Sequence, residues 1–427
     1  MMLGQGAVGL FLDPGLGKTS ICLGALRVLK RLGYVKKTLI IAPLRPAYAV
    51  WPGEIWKWEE FQEFDYVVLH GPEKDTRLEE DVDLYIINPE GLKWLIEQNL
   101  PDFDCLIVDE STKFKDSTTK RFKYLKKMLP MFKRRWILTG TPMPNTLLDL
   151  FGQIYILDSG HALERYITHF RLKYFYKPGY NAWEWKPQPG AFDRVVDKIA
   201  ALIMQLRAED YLEMPELQYV DVPVYLPEDA MQTYKSVEDD FIAALDEGVI
   251  LAANAAAAGT KCRQIANGAV YMEDDYVTLH DAKLEALDDI LEELSGHPVL
   301  LLYEFNHDRE RILQRYKNVT DVKTDKDINK LVNDFNAGDI PILLGHPASM
   351  GHGLNLQGTC HHVIWFGITW NFEHYDQAIR RVYRQGQESD YVRVYHLVSQ
   401  GTLDSKVLSA LQKKERGQNE LLNALRK

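Results

Sequence analysis

The sequence is poor in cysteine and has no long apolar run that could cross a membrane. Its 427 residues include four cysteines, Cys22, Cys105, Cys262 and Cys360. They lie far apart without a CxxC or Cys/His spacing, so neither a disulfide framework nor a zinc module is indicated. The alanine-rich residues 248–259 are too short to span a bilayer, and no cationic region precedes an apolar one at the N-terminus. We therefore expect a soluble cytoplasmic protein with no membrane partner.

The chain also has no excess of positive charge. Its 61 acidic and 50 basic residues give a net charge of −11, which argues against a protein that coats nucleic acid or anionic lipid by bulk attraction. The 46% hydrophobic and 26% charged fractions are those of an ordinary soluble protein and exclude disorder and collagen-like repeats. At roughly 150 residues per domain, the length predicts two or three domains.

Short apolar runs alternate with helix-length segments over the N-terminal third of the chain. Such runs are typical of strands buried on both faces of a parallel sheet. The segments between them, including 19–31 and 48–60, predict crossover helices and therefore an open, doubly wound α/β sheet. The predicted strands are 10–12, 38–41, 66–69, 84–87, 105–108 and 136–138. This lobe is predicted to cover residues 1–158.

The same alternation returns after residue 280 and predicts a second α/β lobe over residues 281–427. Its expected helices are 283–294 and 307–315, and its expected strands are 299–303, 340–344, 362–366 and 391–397. Residues 159–280 are predicted to form a mostly helical insertion and linker between the two lobes. Aromatic and basic residues are mixed over 159–217, which suits either stacking on a nucleic acid or ordinary packing at a hinge.

A glycine-rich turn follows the first predicted strand. The segment Asp13-Pro-Gly-Leu-Gly-Lys-Thr19 leads into a helix, and the backbone N–H groups of such a turn can bind phosphate. Lys18 would contact the β- and γ-phosphates of a nucleotide, and the Thr19 hydroxyl would bind Mg²⁺. The strict GxxxxGKT pattern fails because Leu12 occupies its first glycine position. The strand, turn and helix context nevertheless favours a nucleotide site.

Two carboxylates end a later predicted strand. Asp109 suits a Mg²⁺ ligand, and Glu110 suits a residue that orients the attacking water. Alone, the pair could be a solvated acidic turn, but its position after the glycine-rich turn favours catalysis. The next strand leads into Thr139-Gly-Thr-Pro142, whose hydroxyl groups could hydrogen-bond the carboxylates, and Asn145 is predicted to open a helix.

Two groups of basic residues stand out in this acidic chain. Arg381 and Arg384 are spaced for one face of a helix and could act as arginine fingers on a γ-phosphate, although exposed helical arginines are usually only solvated. The other group suits either a phosphate-tracking surface or a solvated helix face. Its members are Lys113, Lys115, Lys120, Arg121, Lys123, Lys126, Lys127, Lys133, Arg134 and Arg135.

In their order along nearly the whole chain, these segments resemble the Swi/Snf-type branch of helicase superfamily two. Asp13–Thr19 resembles motif I, which in this branch also lacks the first glycine, and Asp109–Thr112 occupies the place of motif II. Leu138–Pro142 resembles motif III, Gly351–Gln357 resembles motif V, and Gln377–Gln387 resembles motif VI.

Some positions depart from the family pattern. Ser111 and Thr112 replace the Ala and His of motif II, and Arg380 replaces an acidic residue before the first arginine of motif VI. The family also has a glutamine-bearing segment upstream of motif I that reads adenine, and it has no counterpart here. We therefore expect weak adenine discrimination, in a chain that starts inside a longer protein or at an internal methionine.

The resemblance implies two RecA-like lobes and an enzyme that uses ATP and Mg²⁺. The implied catalytic residues are Lys18, Asp109, Glu110, Arg381 and Arg384. The implied nucleotide-binding residues are Gly15, Leu16, Gly17, Lys18, Thr19 and Gly353. The implied Mg²⁺ ligands are Thr19 and Asp109.

The implied function is that of a monomeric bacterial or phage ATPase that hydrolyses ATP between its lobes and moves along double-stranded DNA by gripping phosphates. One alternative is an RNA-dependent or strand-separating helicase of the same superfamily. Another is a module that clamps DNA in response to ATP without sustained turnover. The arginine pair favours turnover over clamping, and motif V together with the Gly386-Gln387 ending of motif VI favours duplex DNA over RNA.

Overall fold

A computed structural model of the chain describes residues 1–179, 185–246, 252–273, 275–325, 327–350 and 354–426. The chain divides into two compact units. The first contains Met1–Leu212 together with Lys414–Lys427, and the second contains Glu213–Lys413. Residues 159–212 of the predicted insertion therefore belong to the first unit and residues 213–280 to the second. The division into three domains stays a prediction.

The first unit alternates strands with helices, as its sequence pattern predicts. Its strands are β1 (Ala7–Leu12), β2 (Thr38–Ile41), β3 (Tyr66–Val68), β4 (Leu84–Ile87), β5 (Cys105–Asp109), β6 (Arg134–Thr139), β7 (Phe175–Tyr176), β8 (Lys186–Pro187) and β9 (Ile203–Leu206). Its helices are α1 (Lys18–Arg31), α2 (Leu44–Tyr48), α3 (Val50–Lys57), α4 (Lys74–Leu78), α5 (Leu92–Leu95), α6 (Lys120–Met128), α7 (Asp149–Asp158), α8 (Ile167–Tyr174) and α9 (Ala191–Ile199).

The large sheet of the first unit is parallel, with the strand order β3-β4-β2-β5-β6-β1-β9. Because β1 and β5 both lie beside β6, the segments that follow these three strands meet at the carboxyl ends of the strands. Those segments are Asp13–Thr19, Asp109–Thr112 and Thr139–Pro142. The sheet topology therefore brings three of the predicted motifs together.

Both faces of this sheet are buried, which explains why its strands read as continuous apolar runs. Along β1, Leu10 packs into the core on one face and Phe11 into the core on the other. Gly9 lies opposite Ile203 of β9, where a Cβ atom would come within 2.5 Å of the isoleucine Cδ1. A larger residue at this position would require the Ile203 side chain to move.

The second unit contains another parallel sheet, with the strand order β10-β17-β16-β13-β15-β14. The strands of this unit are β10 (Glu216–Val224), β11 (Ala269–Met272), β12 (Asp275–Thr278), β13 (Val299–Leu302), β14 (Val319–Asp321), β15 (Ile342–Gly345), β16 (His362–Trp365) and β17 (Tyr391–Ser399). Its helices are α10 (Glu228–Asp246), α11 (Ala252–Asn267), α12 (Ala282–Glu293), α13 (Asn306–Arg315), α14 (Ile328–Ala337), α15 (Phe372–Ile379) and α16 (Leu403–Ala424), of which the residues from Lys414 belong to the first unit. Among the described residues, no helix is long and apolar enough to cross a membrane.

The α/β fold with two parallel sheets is confirmed, and each of these two sheets includes one strand from the segment predicted to be mostly helical. β9 adds an edge strand beside β1, and β10 pairs with β17 along its whole length. Residues of β10 alternate between exposed and partly buried positions, so this edge strand lacks the apolar run by which the other strands are recognised.

The helix predicted over residues 48–60 is divided. Its first residue ends α2, its centre forms α3, and Glu59–Phe61 form a turn of 3₁₀ helix. Pro52 falls in the first turn of α3, where a helix does not need the missing N–H group. α3 is a separate element, and it contacts Asp109 of motif II and the helix that follows motif I.

Candidate functional site

The turn between β1 and α1 has the backbone shape of a phosphate-binding loop. Gly15 and Gly17 have φ angles of 91° and 70°. A Cβ atom on Gly17 would meet nothing within 4 Å, so the left-handed backbone, and not lack of space, requires glycine there. α1 begins at Lys18, and no described side chain caps its first turn. The start of α1 therefore suits an anion.

Lys18 folds back over the same turn. Its Nζ donates to the carbonyl oxygens of Leu12 at 2.7 Å and Asp13 at 3.3 Å. The Asp13 carboxylate accepts a hydrogen bond from the Ala208 N–H at 3.0 Å, which ties the turn to the segment after β9. The ammonium group is thus held at the glycine-rich turn, where a bound phosphate could replace the carbonyl oxygens as its partner.

Asp109 is the last residue of β5, and both of its carboxylate oxygens accept hydrogen bonds. The indole Nε1 of Trp51 donates to Oδ2 at 3.1 Å, and the Glu110 N–H donates to Oδ1 at 3.0 Å. Burial raises the pKa of the Asp109 carboxyl, whereas the Trp51 hydrogen bond and the positive charge of Lys18 act in the opposite direction. The charge of Lys18 acts on Asp109 because β1 and β5 flank β6, which places motif I and motif II close together.

A buried glutamine that the sequence analysis missed joins motif II to motif III. Ser111 Oγ donates to Gln153 Oε1 at 2.7 Å, and Gln153 Nε2 donates to the Pro142 carbonyl oxygen at 2.7 Å. Gln153 is fully buried on α7. A single amide between apolar residues, in the run Leu150-Phe-Gly-Gln-Ile-Tyr-Ile-Leu157, is the signal by which it could have been found.

The helix after motif III begins later than predicted. Asn145 lies before the helix, and α7 starts at Asp149. The Asp149 carboxylate accepts from the backbone N–H groups of Asn145 at 2.7 Å and Thr146 at 3.1 Å. These bonds satisfy the backbone in a turn ahead of the helix, so Asn145 is not its N-cap.

The donor set of the first unit fits a nucleotide with Mg²⁺. Thr19 and Asp109 offer oxygen ligands, which Mg²⁺ prefers, and this ion is usually bound by one or two protein oxygens together with phosphates and water. The described residues contain no group of three His, Cys, Asp or Glu side chains suited to a metal ion. A site completed by nucleotide phosphates requires no such group.

The two arginines of the predicted motif VI lie beyond the end of a helix. α15 ends at Ile379, so Arg381 and Arg384 do not share a helical face, contrary to the spacing argument. Arg381 Nη1 donates to the Leu354 carbonyl oxygen at 3.4 Å, and Arg384 donates to the Asn355 side chain. Burial lowers the pKa of Arg384. Both arginines therefore contact the predicted motif V, although its residues 351–353, including Gly353, lie outside the described residues.

The basic stretch after Glu110 does not form one surface. Lys133 pairs with Asp104 at 3.0 Å, and Arg135 donates to the Ile156 carbonyl oxygen at 3.1 Å. Both residues lie at the amino end of β6, whereas the predicted motifs follow the carboxyl ends of the strands. The exposed lysines of α6 are Lys120, Lys123, Lys126 and Lys127.

The chain is similar to known families and proteins. The SNF2-related domain matches residues 5–171, and the helicase conserved C-terminal domain matches residues 282–386. Putative protein p41 of Acyrthosiphon pisum secondary endosymbiont phage 1 is 34% identical over 434 residues, which cover 97% of this chain and 94% of p41. The DNA repair and recombination protein RAD54-like of Gallus gallus is 23% identical, over 92% of this chain and 61% of that protein. The solved Sulfolobus solfataricus SWI2/SNF2 ATPase core in complex with dsDNA has 22% identity and a TM-score of 0.46, over 97% of this chain and 88% of that one.

The matches to the SNF2-related and helicase C-terminal domains, together with the two parallel sheets, identify a helicase-type ATPase. Within that class, the chain belongs to the SNF2-related family. The resemblance seen in the sequence motifs is thereby confirmed, and so is the prediction of an ATP-using enzyme.

Proposed function

We propose that this protein couples ATP hydrolysis to movement along double-stranded DNA. The observation that carries the proposal is the meeting of Lys18, Asp109 and Glu110 at one sheet edge, in a chain of the SNF2-related family. Hydrolysis of a phosphoanhydride needs little covalent chemistry from the protein, so positioned charges are sufficient to catalyse it.

Each proposed residue has a distinct role in this reaction. Gly15, Leu16 and Gly17 bind phosphate through the backbone, Lys18 binds the β- and γ-phosphates, and Glu110 orients the attacking water. Thr19 and Asp109 hold Mg²⁺, which when bound neutralises charge on the phosphates. In the second unit, Arg381 and Arg384 stabilise charge on the transferred phosphate, and Gly353 contacts the nucleotide.

The proposed DNA partner is bound through its phosphates. The RAD54-like relative is named for DNA repair and recombination, and α6 presents a row of exposed lysines on a chain that is acidic as a whole. Cations placed on phosphates release counterions, so affinity is expected to be independent of base sequence and to fall steeply with salt. Charge reversal at Lys123 and Lys127 should reduce this salt dependence, whereas reversal of Lys133, which pairs with Asp104, should not.

The decisive experiment compares steady-state ATPase rates without nucleic acid and with duplex DNA, single-stranded DNA or RNA. Stimulation by duplex DNA, together with ATP-dependent displacement of a third strand from a triplex, would support translocation. Greater stimulation by RNA or single strands would support the helicase alternative. Tight duplex binding with ATP but without turnover would identify a clamp, and both of these outcomes would overturn the proposal.

A further inference from the structure

Trp51 makes a hydrogen bond that its buried position alone does not require. Its side chain is fully buried on α3, and its indole Nε1 donates to Asp109 Oδ2 at 3.1 Å. α3 is not part of the sheet that carries the motifs. A residue from a neighbouring helix therefore contacts the carboxylate that is proposed to bind Mg²⁺.

The contact fixes the orientation of the carboxylate. Glu110 N–H donates to Oδ1 at 3.0 Å, so each oxygen of Asp109 accepts one of these two bonds. A carboxylate oxygen has two lone pairs, and each oxygen keeps one for a further ligand. With one donor on each side, the plane of the Asp109 carboxylate is set before any ion is bound.

α3 also contacts the helix that follows the phosphate-binding turn. Glu54 Oε2 accepts a hydrogen bond from Ser20 Oγ at 2.6 Å and another from Trp58 Nε1 at 2.9 Å. Ser20 follows Thr19, the second proposed Mg²⁺ ligand. A single helix is thus hydrogen-bonded to both elements that carry the proposed ligands.

We propose that Trp51 is a positioning residue that orients Asp109 for Mg²⁺ in the nucleotide site. The inference rests on the proposed function, because it requires that this site binds a nucleotide with Mg²⁺. Donors that orient a metal ligand commonly change metal affinity or activity by about 10- to 100-fold when they are removed. The alternative is a purely structural role, in which Trp51 only packs in the hydrophobic core.

Trp136 provides a matched control for that alternative. It is also fully buried, on the adjoining strand β6, but its Nε1 has no hydrogen-bond partner among the described residues. Replacing either tryptophan by phenylalanine removes a similar volume from the core. Only Trp51→Phe also removes a donor to Asp109.

The test is calorimetric titration of ADP into the full chain, in EDTA and over a range of Mg²⁺ concentrations. For Trp51→Phe we expect ADP affinity in EDTA close to that of the wild type, and a Mg²⁺ requirement raised about 10-fold. For Trp136→Phe we expect both quantities to stay near the wild type. Equal Mg²⁺ dependence in all three proteins would overturn the role of Trp51.

The titration of the wild type distinguishes failure of this inference from failure of the proposed function. If the wild type binds ADP with no effect of Mg²⁺, or does not bind it, the nucleotide site fails and the inference with it. If the wild type shows the effect and Trp51→Phe retains it in full, only the inference fails.

A second measurement covers the case in which Trp51→Phe does not fold. In the ¹⁵N-labelled wild type, the indole N–H signal of Trp51 should shift when Mg²⁺ is added to the ADP complex, and that of Trp136 should not. Assignment uses phenylalanine variants of the other tryptophans. An unmoved Trp51 signal would contradict the proposed contact with the ion-binding carboxylate.

Discussion

At the scale of single residues, the backbone turns sharply at the proposed catalytic carboxylates. Asp109 ends β5 in an extended conformation, and Glu110 has φ 50° and ψ 58°. A non-glycine residue in this left-handed region costs on the order of 1 kcal/mol or more, and such residues cluster at functional sites. The turn gives the two adjacent side chains separate surroundings, which suits separate roles.

Lys18→Ala and Glu110→Gln are therefore predicted to abolish ATP hydrolysis for different reasons. Loss of Lys18 removes positive charge from the β- and γ-phosphates, so ADP and ATP affinity should fall. Glu110→Gln keeps the shape of the side chain but cannot accept a proton from water, so ATP should still bind and persist. Nucleotide titrations and single-turnover assays distinguish the two.

Lys36→Ala is the control for this pair, because Lys36 is exposed and lies beyond the end of α1. It should leave binding and turnover unchanged. Near-normal turnover by either Lys18→Ala or Glu110→Gln would show that the assigned residues are not the catalytic ones.

A buried histidine in the second unit is predicted to make stability depend on pH. Burial, together with the charges of His361, His297 and Arg393, lowers the pKa of His362 to about 3. In the unfolded chain its pKa is about 6.5, so between these values only the unfolded state binds the proton. Stability should therefore fall as the pH drops from about 6.5 towards 3, by at most roughly 1.4 kcal/mol per pH unit.

His362→Asn cannot take up this proton and is predicted to flatten the acid side of the stability curve. Urea unfolding of the full chain at several pH values between 7 and 4 measures the slope. If the variant loses stability with acid as steeply as the wild type, His362 is not the group responsible.

At the scale of elements, the sequence predicts the central strands of the sheets better than the edge strands and the ends of the helices. The central strands β1, β2, β5 and β6 are buried on both faces and appear as apolar runs. β9 and β10 lie at sheet edges, where one neighbour is absent and apolar runs are not needed. α2 begins after Pro43, α3 has Pro52 in its first turn, and Asn371 caps the start of α15. Periodicity does not reveal such local features.

The candidate site was predictable only in part for a similar reason. Lys18, Asp109 and Glu110 stand in local motifs that follow strands. Trp51 and Gln153 act through partners that lie 58 and 42 residues away in sequence. Tertiary packing decides such pairs, and no local spacing encodes them.

The bond between Ser111 and Gln153 gives an element-scale prediction. Ser111→Ala leaves the amide oxygen of Gln153 without its donor. Gln153→Leu leaves the buried Ser111 hydroxyl without its acceptor and the Pro142 carbonyl oxygen without its donor. Each change should cost about 1–3 kcal/mol. The double variant should cost less than the sum, by about 1 kcal/mol, because it removes both partners of one bond. Urea unfolding of the four proteins yields this coupling energy, and strict additivity would contradict the contact.

At the scale of the whole molecule, the two ends of the chain belong to the same unit. Leu421, Leu422 and Leu425 are buried in the core of the first unit. Arg207 donates to the Asn419 side chain at 3.1 Å, and Arg426 pairs with Asp210. The C-terminal turns of α16 thus complete the unit that carries the proposed phosphate-binding turn.

Leu421→Ala is therefore predicted to destabilise the protein by about 2–5 kcal/mol, as for other large-to-small changes in a core. Asn423→Ala, two residues away and exposed, should change stability by less than about 0.5 kcal/mol. Denaturant midpoints of the two variants test this comparison. Similar midpoints would mean that the C-terminal turns are not part of the core.

The last prediction concerns Arg381 and Arg384, the residues of the second unit that the proposed mechanism requires. If Arg381 and Arg384 stabilise charge that develops on the transferred phosphate, alanine at either position should lower turnover by about a thousandfold or more while changing ADP and DNA affinity little. Duplex DNA should stimulate the wild type and leave both variants nearly unresponsive. Arg315→Ala is the control, because this arginine of the second unit pairs with Asp288. Steady-state ATPase rates with and without duplex DNA, measured beside nucleotide affinities, decide the matter. Should Arg381→Ala and Arg384→Ala both keep the DNA-stimulated rate, their contacts with residues 354 and 355 would be only structural, and the nucleotide site of the first unit would have to act without them.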